Sequence, residues 1–205
     1  MKTTHKRNQA ERSSQTQIKL FDATLNCLQE FGYHGASLSQ ILKKAGVSRG
    51  AWSHHFENKL DLIAAAAEYV LNSAIETTRD WALSSGTSEL SLSEIFDFIW
   101  ENFYTGRHRD VWLEFNVACR TDEQLRERLE PVLAHFHASM AIAWQTYFTA
   151  KACCDSNIET IMILTINTFR GMAIQSITQN DPHYFKQLRM EWFKIVSMLV
   201  EPKQA

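Results

Sequence analysis

The chain has 205 residues, 45% of them apolar, and a net charge of −2. Three prolines and seven glycines leave long uninterrupted periodic stretches, which point to an all-helical protein with a hydrophobic core of its own. Cys27, Cys119, Cys153 and Cys154 form no CxxC pair and lack ligand-spaced histidines, which argues against structural zinc. Met1–Gln17 is polar and no apolar run reaches bilayer length, so a cytoplasmic protein without membrane contact is expected, its cysteines acting as small apolar residues. Redox sensing at Cys153 or Cys154 has only nearby Lys151 to favour it.

Charge is unevenly spread. Residues 1–60 carry nine Lys/Arg against four Asp/Glu, a net +5; residues 61–205 carry twelve against nineteen, a net −7. A basic N-terminal part suits a polyanionic partner.

In chain order, Met1–Ser14 reads as a mobile polar tail. A first helix runs from about Gln15, with Ile18, Phe21, Leu25 and Leu28 on its buried face, and ends at Gly32; Tyr33–Ala36 is a loop. Ser37 caps a second helix, with Gln40 completing a capping box. Ile41 and Ala45 face inward, Gly46 turns the chain, and Ser48 caps a third helix to about His54. Trp52 and Phe56 belong to a small core. This is a helix-turn-helix, a unit that lays its second helix in the major groove of DNA.

Asn58 caps a fourth helix, with Asp61 in its first turn, that continues towards Trp81; Ser84–Ser88, with Gly86, is a loop. Ser88 or Ser91 opens a fifth helix through Phe103, and Gly106 breaks it. A sixth spans about Asp110–Arg120. Thr121 caps a seventh that passes Pro131, with a kink or a split there, to about Thr149. After the loop Lys151–Asn157, an eighth spans about Ile158–Gln179. Asp181-Pro182 opens a ninth that ends near Val200. The expected architecture is therefore all-α, about nine helices: an N-terminal three-helix DNA-binding domain (residues 1–60) joined to a larger helical ligand-binding and dimerisation domain (61–205).

The motifs Phe31-Gly32-Tyr33, Ser37-Leu38-Ser39-Gln40-Ile41, Ala45-Gly46-Val47-Ser48-Arg49-Gly50-Ala51, His54-His55-Phe56 and Lys59-Leu60-Asp61-Leu62 occur in this order. Over residues 13–63 the chain resembles the TetR family of bacterial transcriptional regulators. Beyond them the resemblance is one of layout, together with the segment Cys119-Arg120-Thr121-Asp122-Glu123-Gln124-Leu125-Arg126. Two positions depart from the family pattern. Ser53 stands where a phosphate-touching tyrosine is usual, and Leu42 where many members have a small residue at the helix crossing. The resemblance implies a homodimer on a palindromic double-stranded operator, released by a small-molecule effector bound in the C-terminal domain.

Arg49 can fork onto guanine O6 and N7; Gly50 and Ala51 allow close approach, the alanine methyl meeting thymine. Ser53 and His54 can reach phosphate or a base edge. Ser37, Ser48 at the helix start, Lys43 and Lys59 are backbone-side candidates. His54-His55 with Glu57, and His135 with His137, have poor spacing for one ion, so no metal and no cofactor are expected. In the body, Trp100, Phe103, Trp112, Phe115, Phe136 and Trp144 exceed what a tight bundle easily fills, and are candidates for an aromatic-lined pocket. Asn116, Asn167, Glu114 and Arg170 are its candidate polar anchors. Arg170 has three open roles: an anionic ligand, the partner subunit, or a salt bridge to Glu114. Ile163, Ile166, Arg170, Ala173 and Ile177 repeat on one helical face, and Trp192, Ile195, Val196 and Leu199 on the next, as a C2 dimer interface of four helices. The reading favoured is a ligand-responsive repressor. An activator or ligand-independent DNA-binding dimer, or a small-molecule binding module without DNA function, are its alternatives. No nucleophile–base pair of convincing spacing suggests an enzyme.

Overall fold

The computed structural model describes residues 2–84, 91–152 and 157–203. Among these residues the chain forms nine helices and one short ribbon: α1 (Lys2–Gly35), α2 (Leu38–Ala45), α3 (Arg49–Ser53), α4 (Lys59–Ser84), α5 (Leu92–Phe103), α6 (Gly106–Cys119), α7 (Glu123–Tyr147), β1 (Phe148–Ala150), α8 (Ile158–Thr178), α9 (Pro182–Leu199) and β2 (Val200–Pro202). By packing they divide into two compact units, Met1–Leu71 with Asp110–Val132, and Asn72–Arg109 with Leu133–Ala205. The chain passes between the units inside α4, α6 and α7.

The first unit is built on α1. Its buried side chains are Leu20, Ala23, Thr24, Leu25, Cys27 and Leu28, whereas Ile18, expected inside, is 41% exposed. The buried Thr24 hydroxyl donates to the Leu20 carbonyl at 2.7 Å, so a polar residue sits on this face without an unmet hydrogen bond. Onto this face pack Ile41 of α2, Trp52 of α3, Phe56, and Leu62, Ile63, Ala66 and Ala67 of α4. Val111, Phe115 and Ala118 of α6 and Leu125 and Leu129 of α7 complete the same core. The segment 110–132, which the sequence places with the body, is thus part of the core that carries the helix-turn-helix. Cys27 is buried and Cys119 half-buried; both are free, and burial pushes both thiols up.

Gly32 breaks α1 as expected, with φ 69° and ψ 174°, but the chain resumes helical turns to Gly35 instead of forming a loop. The Tyr33 amide donates to Glu114 Oε2 at 2.8 Å, and a Cβ on Gly32 would stand 3.1 Å from that oxygen. Tyr33 also donates its hydroxyl to Asp122 at 2.6 Å, and Gln29 donates to Asp110 at 2.9 Å. Asp61 and Arg128 form an ion pair.

The second unit packs α5, the C-terminal part of α7, α8 and α9 around Phe96, Trp100, Trp144, Phe169 and Phe185. The ribbon closes it, antiparallel, pairing Phe148 with Pro202 and Ala150 with Val200. Arg189 is buried: its guanidinium lies 4.8 Å from the Trp100 ring centroid and makes two bonds to Asp97 Oδ1, at 2.9 and 3.2 Å.

Several boundaries differ from the sequence reading. Helix α1 begins at Lys2, so Met1–Ser14 is not an unstructured tail from residue 2 onwards. Ser91, with Glu94, forms the capping box of α5; Gly86 and Ser88 lie outside the described residues, as do Cys153 and Cys154. Gly106, at φ 53°, starts α6 rather than merely separating helices. Asp122 replaces Thr121 as cap of α7: its carboxylate accepts from the Leu125 amide at 2.9 Å, while the Thr121 hydroxyl turns back to the Ala118 carbonyl. Helix α7 runs unbroken through Pro131. Pro131 and Glu127 are both exposed, so the carbonyl deprived of its donor is open to water. The ribbon has no counterpart in the sequence reading, because three-residue strands leave no periodic pattern.

Two substitutions test these contacts. Asp97→Ala should cost about 1.5–3 kcal/mol in urea unfolding, since it strands the buried Arg189 charge. Tyr33→Phe should cost about 1 kcal/mol at neutral pH. The Tyr33 hydrogen bond is the largest influence holding Asp122 below the usual carboxylate range. Its stabilisation is therefore present above about pH 4 and lost as pH falls through the lowered folded value. The gap between parent and Tyr33→Phe should narrow below about pH 4, as read from unfolding midpoints at stepped pH.

Candidate nucleic-acid interface and regulatory unit

The turn of the helix-turn-helix is fixed by local chemistry. Ser37 Oγ accepts from the Gln40 amide at 3.3 Å and donates to Gln40 Oε1 at 2.6 Å, while the Ser37 amide donates to the same oxygen at 2.8 Å. Gly46 sits at φ 64°, where a side chain would be strained, and closes α2. Ser48 Oγ accepts from the Ala51 amide at 3.2 Å, which starts α3 and leaves its own proton free to donate outward. Trp52 is buried in the core, as expected.

The remaining residues of α3 point away from that core. Arg49, Gly50, Ser53 and His54 are exposed and Ala51 is half-buried. A Cβ on Gly50 would meet only open space, so the glycine provides clearance rather than fitting a tight internal contact. Ser53 Oγ donates to the Gly50 carbonyl at 2.9 Å. Its proton is thus used within the helix, and only its lone pairs are available to a partner. Lys43 is exposed, whereas Lys44 pairs with Glu30. Lys59 is half-buried, 5.4 Å from the Tyr33 ring centroid and 3.4 Å from the Tyr33 carbonyl, and burial lowers its ammonium pKa. It is thus partly held by the fold itself. Leu42 packs against the core of its own unit.

The nine candidate ligand residues do not share one unit. Trp112, Phe115 and Asn116 lie in the first, where Phe115 is core and Asn116 is exposed, its amide donating to the Trp112 carbonyl. Glu114, in the same unit, accepts from Tyr33 as described. Trp100, Phe103, Phe136, Trp144, Asn167 and Arg170 lie in the second. There Trp100 and Trp144 are buried, Phe103, Phe136 and Arg170 half-buried, and Asn167 exposed. Arg170 hydrogen-bonds Tyr104, and its Nη2 lies 3.4 Å from His137 Nε2. Sequence reasoning did not single out Tyr104 or His137 as partners of Arg170, because they stand on other segments at no readable spacing.

On α8 and α9 the candidate dimer residues also divide. Ile163, Ile177 and Ile195 are exposed, and Trp192 and Leu199 are half-buried. Ala173 and Val196 are 1% and 0% exposed: both face the core of their own unit and cannot line an outer surface. Trp192 donates its indole N–H to Thr165 Oγ1 at 3.2 Å, which ties α9 to α8. Leu164, Ile174, Met190 and Met198 are exposed as well, so these two helices present more apolar surface than the sequence periodicity selects.

No helix among the described residues is long and apolar enough to cross a membrane. A sequence profile for bacterial regulatory proteins of the tetR family matches residues 20–66. The HTH-type transcriptional regulator CymR of Pseudomonas putida is 30% identical over 190 residues, spanning 93% of each chain. An uncharacterised HTH-type transcriptional regulator of Mycobacterium tuberculosis is 33% identical over 168 residues, covering 82% of this chain and 86% of its own. Among solved structures, a TetR transcription regulator from Haloarcula marismortui superposes with a TM-score of 0.69 at 17% identity, over 92% of this chain and 100% of that one. Bacillus subtilis FadR, crystallised with stearoyl-CoA, gives 0.60 at 14% identity, over 87% and 96%. The similarity to regulators extends through both units, and the chain belongs to the TetR family of bacterial transcriptional regulators.

Proposed function

We propose that the protein is a ligand-responsive repressor that binds a palindromic operator as a homodimer in the cytoplasm and leaves it when a small aromatic or apolar effector binds. The observation that carries this reading is the capped helix α3, whose exposed residues Arg49, Gly50 and Ser53 include no acid while Trp52 anchors it from below. Arg49 reads a guanine edge, and exposed Ser48, Lys43 and His54 serve phosphate oxygens. Residues 1–60 act as the DNA-binding domain, and residues 61–205 carry effector binding and dimerisation, with 110–132 supporting the headpiece core. A dimer supported by Ile163, Ile177 and Ile195, with Leu164, Ile174 and Met198 around them, brings two recognition helices to successive half-sites. The aromatic interior of the second unit, around Trp100, Trp144 and Arg170, suits a small apolar guest; FadR is a precedent for a regulator of this fold with a bound small molecule.

Selection of random duplexes on the purified protein should enrich a palindrome. Arg49→Ala should relax discrimination at one base pair per half-site by about 1–3 kcal/mol while the salt dependence of binding stays steep. Unchanged base preference in that variant removes Arg49 from the readout. Ile177→Glu with Ile195→Glu should give monomers by sizing and light scattering, because two charges then stand on the apolar face. A double variant that remains dimeric places the interface elsewhere.

A further inference from the structure

Helix α1 is longer than the core it serves. It runs unbroken from Lys2 to Gly32, yet residues 11–19 are exposed or half-buried and the buried face opens only at Leu20. The stretch from Lys2 to Lys19 spans about 27 Å of helix. It carries Lys2, Lys6, Arg7, Arg12 and Lys19 against the one acid Glu11, a net +4. At about 100° per residue, Lys2, His5, Lys6, Arg12 and Lys19 fall within a sector of about 140°. Leu20, Ala23, Thr24 and Cys27, all buried, fall in the same sector, whereas Arg7 and Glu11 lie on the opposite side. The cationic stripe therefore continues the face on which α2, α3 and α4 pack. Helix α1 also leaves the core beside the recognition helix. The Phe21 ring is 6.0 Å from Phe56, and Phe56 stands two residues past His54, the C-cap of α3.

We infer that residues 2–19 form a second DNA-binding arm, in which Lys2, Lys6, Arg12 and Lys19 hold backbone phosphates flanking the half-site read by α3. This rests on the DNA-binding reading above and adds a contact that carries affinity rather than sequence preference. The four cations stand about 6, 9 and 10 Å apart along the helix. Phosphates of one strand recur about every 3.4 Å of duplex axis, so each cation meets every second or third phosphate. The recognition helix leaves room for such help, because the Ser53 proton is already spent on the Gly50 carbonyl. Charge complementarity selects the partner. Between Lys2 and Gln17 the only apolar side chain is Ala10, so the arm has no apolar face to lay into a lipid surface, and its cations match a polyanion alone.

The test measures binding of the full chain to a labelled duplex of mixed sequence across a salt series. The variant Lys2→Gln, Lys6→Gln and Arg12→Gln keeps good helix formers, so its circular dichroism should match the parent. Its slope of log affinity against log salt should be shallower by about 3 per protomer, and its affinity at least about tenfold weaker near physiological salt. Its base preference in selection from random duplexes should equal the parent's. Arg7→Gln, on the opposite side of the helix, should leave the slope unchanged. If the triple variant loses helix, Arg12→Gln alone decides, with an expected slope change of about 1. A parent-like slope and affinity in the triple variant, or an equal loss per charge in Arg7→Gln, overturns the arm and leaves the α3 reading standing. A changed base preference overturns the phosphate assignment. Weak, salt-insensitive binding by the parent itself overturns both readings.

Discussion

The helix-turn-helix depends on how α1 ends. Gly32 takes a positive φ that breaks the helical hydrogen-bond ladder and releases the Tyr33 amide. A released amide in a half-buried setting needs an acceptor, and Glu114 of α6 provides it at 2.8 Å. The close approach of the carboxylate to Gly32 is possible because no Cβ intervenes. The same tyrosine then bonds Asp122 at the start of α7 and faces Lys59 at the start of α4. One residue therefore ties the breakpoint of α1 to three other helices. Ala36 and the capped start of α2 follow directly from it, with the Ala36 amide returning to the Gly32 carbonyl at 3.0 Å.

This arrangement gives the DNA-reading element a base drawn from distant sequence. The apolar half of that base is Val111, Phe115, Leu125 and Leu129, all beyond residue 100, packed with Leu20, Ile41 and Trp52. The polar half is Glu114, Asp110 and Asp122, three acids that accept from Tyr33 and Gln29. Residues 110–132 belong to helices whose other halves lie in the second unit. Rotation or translation of α6 or α7 along its length must therefore disturb either the Glu114–Tyr33 bond or the apolar contacts beneath α2 and α3.

Local chemistry was legible in the sequence and long-range pairing was not. Ser37 with Gln40, Gly46, Ser48 and Asp181-Pro182 announce their roles through residues within four positions of each other, and the helix boundaries fall where those residues stand. Trp52 in the core was legible too. Ile18 was misplaced because α1 continues to Lys2, beyond the body it packs on, so helical periodicity there does not report burial. Ala173 and Val196 were misplaced because a helix buried on more than one side shows apolar residues in several directions, and periodicity alone does not say which direction is outward. The grouping of Trp112 and Phe115 with Trp100 and Trp144 failed for a similar reason: aromatic content identifies a core residue but not which of two cores it joins. Asp97 did leave a trace, as an acid among Phe96, Phe98 and Ile99, yet its partner Arg189 is 92 residues away.

Two of the arginines in the second unit show how one residue type sits in separate settings. Arg189 lies over the Trp100 ring and holds Asp97, which fixes α9 against α5 with its donors turned to a carboxylate of the same chain. Arg170, one helix away, hydrogen-bonds Tyr104 and lies 3.4 Å from His137, donors turned to a phenol and an imidazole. A guanidinium tied to an acid of its own chain acts as a structural brace. Trp100 contacts both environments, through the Arg189 cation on its face and through the Tyr104 ring stacked near it at 6.3 Å. Trimming this indole would therefore remove packing from the α5–α9 brace and from the Tyr104 ring at once.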